Sequence, residues 1–386
     1  MKKLMALVLS VGLLTGLTTG NANAGKTFKA PIPITLPVAQ TGTITFANVL
    51  SHVSDVPQTA WQNVQDVIAA NKTAPKVNNV VHQGPNTKLD VVGGMPRVQA
   101  ILTRSEKLWA GFSQVKNFYL LMYNAQDEPW AEKDWAITGK AAKASSGDIK
   151  GEIQRIAGNC QKSSAPGKFS GKPTNCRGAD SSAIQNSDNA ILTFGQGGEG
   201  AANDSMVTTG GIVGHEYGHA VQAAQWIGTS STFRSYDANT FAPCWLIEGQ
   251  GNSIGWAVAA DTYDMYSTMI KDRPYGQGPS TVTDYSEASL LKYLTSQGPG
   301  QSVKSNGCIS NGAVYSLGYT VGAAATEILT AIAGPQSTMA LYALGARGQD
   351  FPTAFKNVYG ITWAEAAKVL SKVLAAEYAT FGPPPQ

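Results

Sequence analysis

The chain has 386 residues, of which 43% are hydrophobic and only 14% are charged. This length suffices for one large or two small domains with a buried core, and the low charge combined with 33 aromatic residues (14 Tyr, 11 Phe and 8 Trp) excludes a largely disordered chain. The net charge of +3 is too small to indicate a nucleic acid or an anionic membrane as a partner. The chain contains only four histidines, so a metal site would have few imidazoles available.

The first 24 residues have the parts of a secretory signal peptide. Two lysines at positions 2–3 precede an apolar run over 4–17, and Ala-Asn-Ala at 22–24 supplies a small-residue cleavage site. The apolar run is shorter than the ~20 residues that a bilayer requires, so we expect no membrane anchor. We predict cleavage after Ala24 and a mature protein that is secreted or periplasmic, with no membrane segment.

The mature chain divides into an N-terminal extension over 25–95 and a main domain over 96–386. Pro, Thr, Val and Asn are frequent in the extension, and one helix is predicted there over 59–70. In the main domain the apolar, aromatic run FYLLMY (118–123) predicts a buried strand, and AILTF (190–194) predicts a second one. The intervening residues 141–188 are rich in Ser, Gly, Lys and Asn, which predicts a surface insertion.

Helical patterns follow the first strand signals and dominate the second half of the chain. Apolar residues at helical spacing predict helices over 96–113, 208–226, 243–263, 285–294, 314–333, 336–344, 351–359 and 362–378. Because strands lie in the N-terminal half and helices dominate the C-terminal half, we predict an α+β architecture rather than alternating βαβ units.

The number of cysteines is even, and an oxidising compartment favours disulfides. Four cysteines allow three pairings. We favour Cys160 with Cys176, because the polar segment between them has no other anchor, and this leaves Cys244 with Cys308.

The segment His215-Glu216-Tyr217-Gly218-His219 has the form H-E-x-x-H on a predicted helix. Residues four apart lie on the same helical face, so both imidazoles can reach one ion. Glu216 lies beside that ion and can hold a water between its carboxylate and the metal. The motif therefore predicts a zinc site with His215 and His219 as ligands and Glu216 as general base.

Two histidines leave a catalytic zinc one protein ligand short of the usual three. A third histidine at position 225 would define the metzincin pattern, but Gln225 occupies that position. His52 and His82 lie in distant polar segments, where we expect ordinary surface residues. A carboxylate is therefore expected to complete the site.

Glu248 is the strongest candidate for that carboxylate. It follows three apolar residues on the next predicted helix, where burying a carboxylate without a cation would be costly. Asp261 and Asp264 are alternative ligands. H-E-x-x-H followed by the W-x-x-E-G of Trp245–Gly249 resembles the gluzincin zinc metallopeptidases, in which such a glutamate is the third ligand.

The resemblance covers about residues 96–380 and implies a zincin-like fold. Its N-terminal lobe would hold a small sheet and the active-site helix, and its C-terminal lobe would be mostly helical. AILTF would be the edge strand that binds substrate, and Gly210, Gly211 and Gly214 would let the active-site helix approach this strand closely.

The same resemblance implies supporting residues around the metal. Asn252 stands where thermolysin-type members carry an acidic residue that orients a ligand histidine. The Y-x-x-G that begins at Tyr315 is similar to the aminopeptidase branch, which implies Tyr315 as the donor to the oxyanion, with Tyr319 as the alternate. The segment 354–362 and its following helix are similar to the C-terminal part of many members.

Together these patterns predict a secreted zinc-dependent peptidase that acts on a peptide or protein substrate. Two alternatives stay open: a non-catalytic, zinc-containing binding module, and hydrolysis of a non-peptide amide. Glu216 favours catalysis, because a structural zinc is usually closed by four protein ligands and needs no carboxylate beside a water.

Overall fold

The structure, a computed structural model, describes residues 28–73, 76–165, 168–184, 187–198, 201–229, 234–271, 284–296 and 316–381. Within these ranges the fold is α+β, as predicted, with a small mixed sheet in the N-terminal half and helices throughout the C-terminal half. Among the described residues, no helix combines the length and the apolar character needed to cross a bilayer.

Six strands are formed in the described part of the chain. In chain order they are β1 (Asn78–Gln83), β2 (Asn117–Tyr123), β3 (Cys160–Ala165), β4 (Lys168–Cys176), β5 (Ala179–Ala183) and β6 (Asn189–Gly195). The main sheet has the order β1-β2-β6-β5, and β3 and β4 form a separate hairpin.

The two strands predicted from apolar runs, β2 and β6, form the centre of the sheet. All seven residues of β6 and six of the seven of β2 are buried, because helices cover both faces. Strands β1, β2 and β6 run parallel, while β5 pairs antiparallel to β6. Parallel neighbours require crossovers, and the chain from β1 to β2 runs through a helix, so a βαβ connection occurs within the α+β fold.

Helices account for most of the remaining described residues. They are α1 (Val56–Ala70), α2 (Gly94–Leu108), α3 (Glu128–Ala141), α4 (Ser146–Asn159), α5 (Ser205–Thr208), α6 (Gly211–Ala224), α7 (Arg234–Phe241), α8 (Cys244–Ala259), α9 (Tyr263–Lys271), α10 (Glu287–Ser296), α11 (Ala323–Ala333), α12 (Pro335–Ala346), α13 (Phe351–Tyr359) and α14 (Trp363–Phe381). A π-helical turn, Gly318–Gly322, leads into α11. The predicted helices are confirmed within a few residues, and the one expected over 314–333 is described from residue 316.

The N-terminal extension supplies part of the core. Its strand β1 is an edge of the main sheet, and α1 packs against α8 and α11. The Asn63 side chain donates to the carbonyl oxygens of Thr330 and Ala331 at 2.9 and 3.2 Å. Gln65 donates to the carbonyl oxygen of Ala257 at 2.7 Å. These bonds attach α1 to the C-terminal helices.

The expected surface insertion over 141–188 is more than a surface excursion. It contains α4, the β3–β4 hairpin and β5, and β5 completes the main sheet. The predicted disulfide between Cys160 and Cys176 is confirmed; it closes the hairpin, and both cysteines are buried. Cys308, the predicted partner of Cys244, lies outside the described residues.

Candidate metal centre

Helix α6 carries the three residues of the predicted motif on the side that faces the interior. His215 and Glu216 are buried, and His219 is half-buried. The ligand atoms that these three side chains offer lie within 4.8 Å of one another, so the group could hold a metal ion. The four-residue spacing of the histidines brings their Nε2 atoms to 3.0 Å.

Glu248, from α8, brings a third donor atom to the same point. Its Oε2 lies 3.4 Å from Nε2 of His215 and 3.3 Å from Nε2 of His219. The three atoms therefore form a nearly equilateral triangle. Glu248 Oε2 is buried, and none of the described residues gives it a well-formed hydrogen bond. A cation at this point would provide the missing partner.

The second nitrogen of each imidazole is hydrogen-bonded on the side away from the triangle. His215 Nδ1–H donates to Asn252 Oδ1 at 2.8 Å, the contact expected for Asn252. His219 Nδ1–H donates to Gln222 Oε1 at 2.9 Å. Both Nε2 atoms therefore point at one place, beside the Glu248 carboxylate. Gln222 has no counterpart in the sequence prediction, because an amide three residues after a histidine carries no recognisable signal.

The buried charges at this point strongly perturb one another. Burial alone would lower the pKa of His219, but the Glu248 carboxylate and Glu216 raise it to about 10. Burial opposes ionisation of Glu248, but His219 and His215 hold its pKa well below the usual range. For Glu216, burial raises the pKa, and the neighbouring imidazoles offset only part of that rise. The centre thus strongly favours a positive charge among these side chains.

Glycines set the position of α8 between two neighbours. A Cβ on Gly214 of α6 would lie 2.6 Å from the carbonyl oxygen of Gly255, and one on Gly255 would lie 2.4 Å from the amide nitrogen of His215. On the opposite side of α8, a Cβ on Gly249 would lie 2.2 Å from the carbonyl oxygen of Gly322. Only glycine permits both approaches, and they place Glu248 between α6 and the π-helical turn.

The predicted role of the glycines at the start of α6 was wrong. Gly214 packs against α8, not against a strand. Gly210, at the N-terminal cap, faces Val91 and the side chain of Ile101 from α2, and Gly211 faces α8 and α9 side chains. The close approaches are made to helices because α6 is covered by α8 over most of its length.

A cavity of about 370 Å³ opens beside the three donor atoms. Its lining includes Glu216, the β5 strand, Arg155 and Tyr319. The Tyr319 ring stacks on the His215 ring, with centroids 5.9 Å apart and planes 13° from parallel. Tyr319, the alternate oxyanion donor, therefore lies at the site. Tyr315 lies outside the described residues.

The edge strand beside the cavity is β5, which corrects the assignment of AILTF. AILTF forms β6, which has neighbours on both sides. The register pairs Asp180 with Thr193 and Ser182 with Ile191. Just outside β5, Gly195 N–H donates to Gly178 O and Ile184 N–H donates to Asn189 O. Because hydrogen-bonded pairs alternate along antiparallel strands, the even-numbered residues of β5 form the bonds to β6. The backbone groups of Ala179 and Ser181 therefore point away from β6. The polar sequence ADSSA gives no strand signal, so this element was missed.

Two contacts attach β5 to its surroundings. Ser181 Oγ donates to the backbone carbonyl of Glu216 at 3.0 Å, joining the strand to α6. On the other face of β5, Arg155 forms ion pairs with Asp180 and, at 3.2 Å, with Glu152 of its own helix. Burial raises the pKa of Glu152 to about 7, although Arg155 opposes that rise. No sequence motif indicated this cluster.

The remaining candidates lie elsewhere. His52 pairs with Asp55 and His82 with Asp134, each partly exposed, as expected for surface residues, although His82 lies on β1 and not in a loop. Asp261 pairs with Arg97, and neither it nor Asp264 lines the cavity.

Comparison with known proteins adds no further constraint. No protein-family model, curated protein or solved structure matches this chain. The function of this chain must therefore be inferred from the geometry of the site.

Proposed function

We propose that this protein is a secreted zinc-dependent peptidase that hydrolyses peptide bonds with Glu216 as general base. The observation that carries the proposal is the triangle of donor atoms from His215, His219 and Glu248. It lies beside a second buried carboxylate and opens into a cavity bounded by an edge strand.

The triangle fits zinc in size and in chemistry. Zinc binds imidazole nitrogen and carboxylate oxygen at about 2.0–2.2 Å in tetrahedral sites, which places neighbouring ligand atoms about 3.3 Å apart. The three distances here are 3.0, 3.3 and 3.4 Å. Two imidazoles disfavour calcium and magnesium, which prefer oxygen ligands. Three protein ligands leave a fourth position open, as catalytic rather than structural zinc sites do.

The chain's own groups then divide the work of hydrolysis. When bound, zinc would polarise the scissile carbonyl and lower the pKa of its water. Glu216 accepts a proton from the attacking water and passes it to the leaving amine, and the burial that raises its pKa suits it to that exchange. We assign the donor to the oxyanion to Tyr319, because its ring stacks on His215 and it lines the cavity, although the resemblance gave this role first to Tyr315.

An extended polypeptide is the substrate that the cavity wall suits. Backbone N–H and C=O groups of Ala179 and Ser181 point away from β6 and can pair with a peptide strand by β-addition. Because Ser181 is tied to the Glu216 backbone, a peptide on β5 would be held in register with the general base. The edge strand therefore favours a peptide over a small amide as the substrate.

Secretion is part of the proposal. The signal-peptide pattern of residues 1–24 predicts export, and the disulfide between Cys160 and Cys176 is of the kind that persists in an oxidising compartment.

The test is a comparison of wild type with Glu216→Gln, using zinc analysis and digestion of a peptide library. We expect one zinc per chain in both, and a loss of about 10²–10⁴-fold in hydrolysis in the variant, since the proton acceptor is gone. Glu132→Gln, on α3 outside the cavity, is the matched control and keeps full activity. Activity retained in Glu216→Gln would contradict the mechanism. A wild type that binds zinc and cleaves nothing would support the non-catalytic binding module.

A further inference from the structure

We propose that Gln222, Gln250 and Thr338 form a hydrogen-bonded relay that holds His219 in one orientation and one tautomer. The relay crosses three helices, α6, α8 and α12, and all three side chains are at most 2% exposed. The role of the relay in metal binding rests on the proposed function, whereas its hydrogen bonds are observed independently of any metal. These are positioning residues, since only Gln222 touches a ligand histidine.

The relay is continuous from the imidazole to a backbone carbonyl. After the His219 contact, Gln222 Nε2 donates to Gln250 Oε1 at 2.7 Å and to the carbonyl oxygen of Ile247 at 3.1 Å. Gln250 Nε2 donates to Thr338 Oγ1 at 2.7 Å. The Thr338 hydroxyl donates to the carbonyl oxygen of Pro335, also at 2.7 Å.

The two backbone carbonyls fix the direction of every bond in the relay, because a carbonyl oxygen can only accept. The Pro335 carbonyl takes the Thr338 proton, so Thr338 must accept from the Gln250 amide nitrogen. Gln250 then presents its oxygen to Gln222. The Ile247 carbonyl independently requires the nitrogen of Gln222 on that side. Gln222 therefore presents oxygen to His219, which must carry a proton on Nδ1 and directs Nε2 toward Glu248.

The other ligand histidine is fixed by a shorter version of the same device. Asn252 Nδ2 donates to the carbonyl oxygen of Tyr319 at 2.8 Å, so Asn252 presents its oxygen to His215 Nδ1. Both orienting groups are neutral amides. They set the tautomers without adding negative charge, so Glu248 is the one anion that contacts both imidazoles in the described residues.

Burial alone does not give a threonine in this core a hydrogen-bond partner. Thr326 and Thr330 of the neighbouring helix α11 are as buried as Thr338, yet their hydroxyl groups have no hydrogen-bond partner among the described residues. Thr338 is thus distinguished by its connection, and Thr326 provides a control of the same type, burial and region.

The experiment measures zinc affinity by chelator competition, together with nuclear magnetic resonance of the imidazole N–H protons of the chain's four histidines. Loss of an outer partner of a ligand histidine typically costs about 10–100-fold in metal affinity, so we expect that loss in Gln222→Met. We expect a smaller loss, about tenfold or less, in Thr338→Val, which removes the acceptor for Gln250. Thr338→Ser keeps the hydroxyl group and therefore the wild-type zinc affinity, and Thr326→Val leaves the affinity unchanged.

The resonance measurement uses the metal-free protein as well as the zinc-loaded one. In wild type, the Nδ1 proton of His219 exchanges slowly with water in both states. Its exchange becomes fast in Gln222→Met and faster than wild type in Thr338→Val. The proposal is overturned if wild-type His219 carries no proton on Nδ1, or if Gln222→Met and Thr338→Val match Thr326→Val in both measurements. Because the metal-free spectrum needs neither zinc nor hydrolysis, failure of the proposed function leaves this test intact.

Discussion

Two imidazole nitrogens and a carboxylate oxygen converge to within 3.0–3.4 Å in a buried part of this molecule. If both nitrogens present lone pairs, the three atoms repel one another, and a cation between them removes the repulsion. A proton on His219 also reduces this repulsion. Burial disfavours the protonated imidazole, but Glu248 and Glu216 raise the pKa of His219 to about 10. Zinc binding should therefore release a proton at neutral pH.

Glu152, behind the edge strand, gives a pH dependence that can be measured separately. Burial raises the pKa of Glu152 from 4.5 to about 7, so the folded protein favours its protonated form. The folded chain then holds more protons than the unfolded chain between these values, and stability falls as pH rises from 4.5 through 7. A difference of this size corresponds to about 3 kcal/mol.

We predict that Glu152→Gln removes most of this fall. Urea unfolding at pH 5 and at pH 7.5 measures the difference, and Glu132→Gln, the same substitution outside the cluster, serves as the control. An unchanged pH slope in Glu152→Gln would show that Glu152 ionises normally in the folded chain.

At the scale of elements, the site depends on how closely α8 approaches its neighbours. The glycine contacts on both sides of α8 are backbone against backbone, so no rotamer change can relieve an added methyl group. The helix that carries Glu248 is therefore fixed in position relative to His215, and the contacts of Asn252 and Gln250 depend on the same placement.

We predict that Gly255→Ala destabilises the protein by at least about 1–3 kcal/mol, the usual cost of overpacking, and weakens zinc binding. The reason is that the new Cβ would lie 2.4 Å from the His215 amide nitrogen. Gly151→Ala is the matched control in α4. Its Cβ meets no atom within 4 Å, and it should stabilise the protein by about 0.5–1 kcal/mol through helix propensity. Thermal unfolding and chelator competition measure both effects. Equal behaviour of the two variants would contradict the packing argument.

Elements with a strong local signal were predictable, and those defined by their neighbours were not. FYLLMY and AILTF are apolar throughout because they form the buried centre of a sheet, so they could be recognised as strands. The ADSSA strand β5 has no such pattern, because its edge position and its polar outer contacts permit Ser and Asp. Consequently AILTF was assigned the edge position that belongs to β5.

At the scale of the whole molecule, some parts of the candidate site follow from local sequence patterns and others depend on which elements pack together. His215, Glu216 and His219 could be placed together because four-residue spacing on a helix is a local property. Glu248 could be proposed from its apolar neighbours, and the structure places it beside both histidines. The relay of Gln222, Gln250 and Thr338 has no such local signal. Gln250 and Thr338 are 88 residues apart in the sequence, and only the packing of three helices brings them together.

The N-terminal extension and the 141–188 segment also acquire their roles only in the folded molecule. The extension contributes a strand to the sheet and a helix that contacts α8 and α11. The 141–188 segment contributes β5 and Arg155 to the cavity that would receive the substrate. Three distant parts of the chain thus support the candidate site: the extension packs against α8, the 141–188 segment lines the cavity, and α6 and α8 carry the donor atoms.

The most direct test of this account is X-ray absorption spectroscopy at the zinc edge on the purified, zinc-loaded protein. We predict four nitrogen or oxygen ligands at about 2.0–2.2 Å, with the multiple scattering of two imidazoles, and a loss of one such ligand in Glu248→Gln. A sulfur ligand at about 2.3 Å, a six-oxygen shell, a single imidazole or no stoichiometric zinc would contradict it.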